Sequence, residues 1–200
     1  KQTGISRSNA YNSLASMTEK GAAYLVEEGN TRKYVPVPVE EFCKNRIRRM
    51  EEARQWLKIH VPSEKTHVEG YITIEGARNI LDKMRNLLDK VEQRVYISCT
   101  RNYLLLLVRE LEELKRAGKK VVIVTDQPVT FSGAKVYVGK SRGMQIGVIA
   151  DSRYVLTGEY GEGSMNTCLY SGQKNFVELY KTALGNEIKL LTIQEEKNKA

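Results

Sequence analysis

Gly143-Met144-Gln145-Ile146-Gly147-Val148-Ile149-Ala150-Asp151-Ser152-Arg153-Tyr154-Val155-Leu156-Thr157 is the stretch that decides the fold. Apolar, aromatic and β-branched residues dominate 144–150 (Gln145 apart) and 154–157, and Asp151-Ser152-Arg153 lies between them. Two such runs about a short polar turn predict a β-hairpin. Upstream, Lys120-Val121-Val122-Ile123-Val124-Thr125 is an apolar run of the kind buried on both faces of a sheet. Further strands are expected at 70–73, 94–99, 135–138 and 167–170. Helices are expected from Gly76 to about Glu92, at 104–117 with Gly118 as the stop, and at 173–184. In the first of these, Ala77, Ile80, Leu81, Met84, Leu87, Leu88 and Val91 form the inward stripe. Alternating strands and helices make residues 68–200 a layered α/β domain.

Residues 39–67 read as a linker. No helix breaker interrupts the chain from Glu40 to about His60. Cys43, Ile47, Met50, Arg54, Leu57 and Val61 follow a four-three spacing, the seam of a two-helix dimer. Arg54 then faces Glu51 or Glu52 of a second copy. The other reading is an amphipathic helix packed on its own domain. Trp56 is read as a packing residue of this helix.

Residues 1–38 end at Pro36-Val37-Pro38, which no helix crosses. Ser6 after Thr3-Gly4-Ile5 is a helix N-cap. A helix from Arg7 to Lys20 turns Ala10, Leu14 and Met17 inward and is closed by Gly21. Its other face carries Arg7, Ser8, Asn9, Asn12, Ser13 and Ser16, donors and acceptors suited to base edges and phosphates. Residues 23–27 and 32–35 form a hairpin across Glu28-Gly29-Asn30-Thr31, with Arg32 and Lys33 beyond its tip. Turn, polar-faced helix and basic hairpin follow the order of a winged helix-turn-helix, with its recognition helix in the major groove and its wing on the backbone. A complete winged helix has further helices ahead of the turn, and the sequence starts at the end of one, so the winged helix read here is partial. The alternative is a small helix-and-hairpin lid that binds nothing.

Composition agrees with a folded, nucleic-acid-binding protein. The chain has 200 residues, 41% hydrophobic and 28% charged, which excludes a disordered or fibrous chain. No run of about 18 apolar residues predicts a membrane span, and no apolar segment at the start predicts a secretory signal. The net charge of +8 points to a polyanionic partner. Cys43, Cys99 and Cys168 are too scattered for a zinc pattern and read as reduced thiols of a cytoplasmic protein. With His60 and His67 as the only histidines, no metal centre and no cofactor is expected.

The deciding stretch also carries a resemblance. Met144-x-Ile146-x4-Asp151, followed by Gly163-Ser164-Met165-Asn166, is similar to the phospholipase D signature His-x-Lys-x4-Asp, Gly-Ser-x-Asn. By position Met144 replaces the nucleophilic His and Ile146 the phosphate-binding Lys. A thioether and an alkyl chain neither attack phosphorus nor hold its charge, so the resemblance implies the fold without the reaction. Asp151, Ser164 and Asn166 remain candidates to line a polar, ligand-binding cleft. The structural alternative has Asp151 at the first position of a type I turn and the other two satisfying loop backbone. Gly158-Glu159-Tyr160-Gly161-Glu162-Gly163 reads as a mobile loop and lid over this cleft. Tyr154, Tyr160, Tyr170 and Tyr180 read as core edge or as sugar-stacking faces.

Together, Thr3-Gly4-Ile5-Ser6-Arg7-Ser8-Asn9-Ala10-Tyr11-Asn12-Ser13-Leu14, the linker helix and the degenerate motif resemble the TrmB family of transcriptional regulators. The resemblance implies a partial N-terminal winged helix-turn-helix (1–38), a coiled-coil dimerisation helix (39–67) and a phospholipase-D-like regulatory domain (68–200). It implies a non-enzymatic homodimer on double-stranded DNA, with a small-molecule effector such as a sugar. Candidate DNA contacts are Ser6, Arg7, Ser8, Asn9, Asn12 and Ser13 at the groove and Lys20, Arg32 and Lys33 at phosphates. The competing function is a ligand-binding or adaptor protein without DNA binding.

Overall fold

The computed structural model describes residues 4–29, 31–62, 70–140, 142–162 and 166–199. The chain divides into two compact units, residues 1–65 and 66–200. Among the described residues no helix is long and apolar enough to cross a membrane.

The first unit begins with α1 (Arg7–Glu19). Ser6 caps it as expected: its hydroxyl accepts from the Asn9 N–H at 3.3 Å while its own backbone stays extended. At the other end Gly21 takes φ 76°, and Gly21 N–H and Ala22 N–H donate to the Thr18 and Met17 carbonyls. That pair of bonds is a Schellman motif, and it needs a residue that tolerates positive φ at Gly21. Strands β1 (Ala23–Glu28) and β2 (Thr31–Pro36) pair antiparallel from Ala23↔Pro36 to Glu28↔Thr31, leaving two residues for the turn. Asn30 of that turn lies outside the described residues. The expected inward stripe is only partly inward. Ala10 and Leu14 are half-buried but Met17 is 48% exposed, and Ser16, expected outside, is half-buried. A single helix and a two-stranded hairpin offer too little surface to cover a full stripe. Only Ala23 and Val37 are buried among the described residues of this unit.

Helix α2 (Val39–His60) follows, with Glu40 and Glu41 in its first turn and Lys58 in its last, each sign favoured by the helix dipole. Its seam is uncovered: Ile47 is 70% and Met50 73% exposed, and Cys43, Leu57 and Val61 are exposed too. Within the chain Arg54 already has a partner, and the reading of Trp56 as a packing residue is corrected. Arg54 donates to Glu51 Oε1 of its own helix at 2.6 Å, because i,i+3 neighbours share a face. Trp56 is exposed and stacks on His60, centroids 4.1 Å apart, one turn along.

The second unit is built on a seven-stranded sheet. Its strands are β3 (Tyr71–Glu75), β4 (Arg94–Ser98), β5 (Lys120–Thr125), β6 (Lys135–Val138), β7 (Gln145–Ala150), β8 (Tyr154–Glu159) and β9 (Thr167–Ser171). Their spatial order is β3-β9-β8-β7-β4-β5-β6. β4, β5 and β6 run parallel, and every other pairing is antiparallel. Helices α3 (Ala77–Leu88), α4 (Arg101–Leu104) and α5 (Val108–Arg116) accompany it, with α6 (Lys174–Lys199) last. One core holds Ile80, Met84, Leu88, Leu111, Ile123 and Val148; the other, with α6, holds Val124, Ile149, Val155 and Val177. This mixed α/β layering is the architecture the residue pattern predicts.

Several boundaries differ from expectation. The helix expected at 104–117 is broken by a 3₁₀ turn at Leu105–Leu107. The i,i+3 eclipse of that turn buries Leu104 and Leu107 together and leaves Leu105 and Leu106 exposed. α3 stops at Leu88 rather than near Glu92. α6 does not stop before Gly185 but runs on to Lys199, since one glycine inside a helix costs only about 1 kcal/mol. Ile188 and Leu191 beyond it pack on the core and secure the extra turns.

Candidate nucleic-acid interface and effector site

On the first unit, Ser6, Arg7, Ser8, Asn9, Asn12 and Ser13 are all exposed along the first two turns of α1. Arg7 lies over the Tyr11 ring, 5.9 Å from its centroid, which aims the guanidinium along the helix. Lys20, the C-cap residue, is exposed as well. The structure thus groups seven of the nine candidates on one short helix and its caps. The two wing candidates differ. Arg32 Nε is 3.1 Å from Glu27 Oε1, and Lys33 Nζ is 2.5 Å from Glu28 Oε2. Their charge is offset across the hairpin by the residues they face. Unpaired cations stand instead on α2, where Lys44, Arg46 and Arg49 are exposed and make no ion pair among the described residues. The four-three spacing of the apolar seam gives no signal for these three positions.

One side-chain hydrogen bond ties α2 to the hairpin of its unit, and Arg49 lies near the end of α1. The Tyr24 hydroxyl of β1 donates to Glu41 Oε1 at 2.6 Å. That bond holds the Tyr24 proton and, with burial and the Glu41 charge, raises the phenol pKa. Arg49 reaches the end of α1, its Nη1 3.9 Å from where a β-carbon on Gly21 would stand.

On the second unit the candidate cleft does not assemble. Asp151 and Asn166 sit at opposite ends of the β7–β8 hairpin. Ala150 pairs with Tyr154 beside Asp151, while Gln145 pairs with Glu159, which pairs with Thr167 beside Asn166. Six residues of strand at about 3.3 Å each put them about 20 Å apart. Asp151 occupies the first central position of a type I′ turn, not position i of a type I turn. Asp151 and Ser152 both take positive φ, 50° and 54°, and Arg153 N–H closes the turn on Ala150 O. The Asp151 carboxylate accepts from the Glu92, Gln93 and Arg94 N–H groups, each at 2.8 Å. Burial pushes its pKa up, but the three donors and the Arg153 charge outweigh it and hold the carboxyl below its ordinary value. Asp151 therefore pins the segment between α3 and β4.

At the other end, Asn166 Oδ1 accepts from Gly161 N–H at 2.6 Å and its carbonyl from Gly76 N–H at 2.9 Å. Ser164, with Gly163 and Met165, lies outside the described residues, as does His67. The expected lid is a strand for its first part, with Gly158 and Glu159 paired in β8. Tyr160 is then fixed by its N–H to Met144 O and by its ring against Tyr103, centroids 4.9 Å apart. A β-carbon on Gly161 would stand 2.6 Å from the Tyr103 hydroxyl and 2.8 Å from the Met144 sulfur. Apolar and aromatic groups thus crowd the position where the signature calls for a nucleophile. Ile146, at the phosphate-binding position, is buried in the core. Of the tyrosines, Tyr160 and Tyr170 pack on one core and Tyr180 on the other, the core-edge reading. Nearby, Arg142 pairs with Glu187, a contact hidden from sequence reading by the early end assigned to the last helix.

No protein-family model matches the chain. The protein named Uncharacterized protein YrhO of Bacillus subtilis (strain 168) is 28% identical over 190 residues, 94% of this chain. The chain spans 64% of the length of that curated relative. Nuc from Salmonella typhimurium, a phospholipase D family member, is 13% identical, covers 58% of this chain and 93% of its own, and gives a TM-score of 0.42. The archaeal chromatin protein TrmBL2 gives a TM-score of 0.52 at 17% identity, with 92% of this chain and 82% of that chain covered. At that level of likeness the chain shares the TrmBL2 fold across nearly its whole length.

Proposed function

We propose that the chain is a DNA-binding transcriptional regulator that works as a homodimer and carries a non-catalytic ligand-sensing unit. The observation that carries this reading is the exposed polar face of α1: Arg7, Ser8, Asn9, Asn12 and Ser13 stand free of the unit's small core. A helix with no buried residue contributes little to its own unit, so its side chains are available to a groove. TrmBL2, which shares the fold, is described as showing a novel mode of DNA binding. The exposed apolar seam of α2 supports pairing of two copies, which sets two reading heads about one DNA turn apart. Lack of hydrolytic activity is inferred from Met144 and Ile146, which offer neither nucleophile nor cation. A cytoplasmic location follows from this role.

The test is selection from a random duplex pool at about 150 mM salt, where purely electrostatic binding is weak. Enrichment of an inverted repeat with half-sites about one helical turn apart is the expected result. Binding without enrichment would refute sequence reading. The ion-paired wing favours a second reading, a ligand-binding or adaptor protein without DNA, and absence of any duplex binding would select it.

A further inference from the structure

A cavity of about 250 Å³ opens in the second unit between α6 and the sheet face bearing Tyr96. Its walls are apolar where Leu184 and Ile188 of α6 face Ile149 of β7. Gly185 lines the gap, and a β-carbon there would meet nothing within 4 Å. Neither sterics nor a positive φ calls for glycine at this place, and alanine would favour the helix by about 1 kcal/mol. Four polar side chains, Arg94, Tyr96, Ser152 and Lys181, complete the lining. The Tyr96 and Ser152 hydroxyls make no hydrogen bond among the described residues, and the Arg94 guanidinium makes no ion pair among them. The other cation of the lining, Lys181, is already matched by Glu178 at 2.7 Å.

From this geometry we infer that the cavity binds a small monocarboxylate with an aromatic or branched aliphatic body. The Arg94 guanidinium is exposed at the rim with no ion-pair partner among the described residues, so it is open to one negative charge, and its fork matches a carboxylate in two parallel hydrogen bonds. Tyr96 and Ser152 supply further donors. At about 30 Å³ for each water-sized group, the space holds about eight such groups, enough for one ring and its acid. A sugar needs more polar partners than these walls offer, so this reading departs from the sugar expectation. The site lies at the Asp151 end of the hairpin, away from Met144 and Asn166. It goes beyond the regulator reading and stands apart from it: ligand is measured without DNA, so failure of either leaves the other intact.

The experiment is amide NMR of the full chain titrated with benzoate, benzyl alcohol and inorganic phosphate. Benzoate is expected to shift the α6 amides around Gly185 with a millimolar or tighter Kd. Benzyl alcohol, of the same shape without the charge, should bind at least about tenfold more weakly, as one lost charge-assisted contact implies. Arg94→Gln should weaken benzoate by a similar factor, and Gly185→Leu should abolish binding by filling the space. No α6 shift with benzoate, or equal shifts in the wild type and Arg94→Gln, overturns the proposal. Tighter binding of phosphate than of benzoate overturns the carboxylate assignment. If Gly185→Leu does not fold, Arg94→Gln and the benzyl alcohol comparison decide.

Discussion

Replacing Asp151 separates its two possible roles. Its carboxylate accepts three backbone N–H bonds at 2.8 Å, and all three donors belong to the segment that leads from α3 into β4. A protein hydrogen bond contributes about 0.5–1.5 kcal/mol net. The three amides regain water in part when the carboxylate is removed, so their loss amounts to about 2–3 kcal/mol. Alanine at the positive φ of this turn adds about 1 kcal/mol. Asp151→Ala should therefore destabilise by about 3–4 kcal/mol. For a unit of this size that lowers Tm by roughly 10 °C. Asp151→Asn keeps one acceptor oxygen and tolerates the turn, so its cost is about 1–2 kcal/mol and its Tm falls by roughly 4 °C. The difference has a pH signature. The folded carboxyl titrates below its ordinary value, so the folded state binds its proton more weakly than the unfolded chain does. Its stabilising contribution is complete above about pH 4 and is lost as the pH falls through the folded value. Thermal melts of wild type and Asp151→Asn should thus differ near neutrality and converge in acid. A wild-type Tm in Asp151→Ala, or a gap that stays constant from pH 6 to about pH 3, would refute the assignment of Asp151 as a pin.

Other substitutions test the remaining elements. Arg7→Ala should weaken binding to the selected duplex by about 1–3 kcal/mol and leave non-specific binding nearly unchanged, read by fluorescence anisotropy. Arg49→Ala should reduce the salt slope by about one phosphate contact, whereas Arg32→Ala should change it less, since Glu27 already offsets that charge. Ellman's reagent should titrate Cys43 alone in the native chain and all three thiols in denaturant, because burial pushes Cys99 up to about 12 and Cys168 up to about 11. Mild oxidation should crosslink two copies through Cys43, and Cys43→Ser should abolish the dimer band on a non-reducing gel. Gly158→Ala should lower stability by about 3 kcal/mol in a denaturant melt, since its β-carbon would stand 2.2 Å from the Thr167 carbonyl oxygen in a paired strand that cannot yield. Tyr24→Phe should leave the melting curve nearly unchanged and relax the half-site spacing chosen in duplex selection.

The sheet was legible because its strands carry their own signal. Lys120–Thr125 matches its strand residue for residue, as does Lys135–Val138, since apolar runs bounded by turn residues leave little choice. Helix ends were less legible. Gly118 does stop α5 and Gly185 does not stop α6, although both are single glycines after an apolar stripe. What separates them is tertiary: Ile188 and Leu191 find a sheet face to cover, and nothing local to Gly185 encodes that. The candidate site suffered from the same gap. Motif spacing places Asp151 and Asn166 fifteen positions apart in one signature, but the hairpin between them sends each to a different end. The cavity beside α6 had no signal at all, because Arg94, Ser152 and Gly185 meet only after the last helix lies across the sheet.

The ties within the first unit bear on how DNA reading would be regulated. An exposed helix of 13 residues is about 20 Å long and holds few base contacts, so a single head binds weakly. On the proposed homodimer reading, specificity depends on holding two heads at a fixed separation, which the seam of α2 would set. For a rotation of α2 to reach α1, the head must move with it as one body. The Tyr24–Glu41 bond fixes the hairpin to the first turn of α2, and Arg49 sits over the Schellman end of α1 a further two turns along. The Tyr24–Glu41 bond thus adds one point of attachment between the hairpin and α2 beyond the chain connection itself. A change of about one residue step along the seam would then displace the recognition helices by a similar distance. Coupling of about 1–3 kcal/mol suffices to change occupancy five- to 150-fold. On the same reading the wing, with Arg32 and Lys33 matched by Glu27 and Glu28, would contribute shape to this head more than charge.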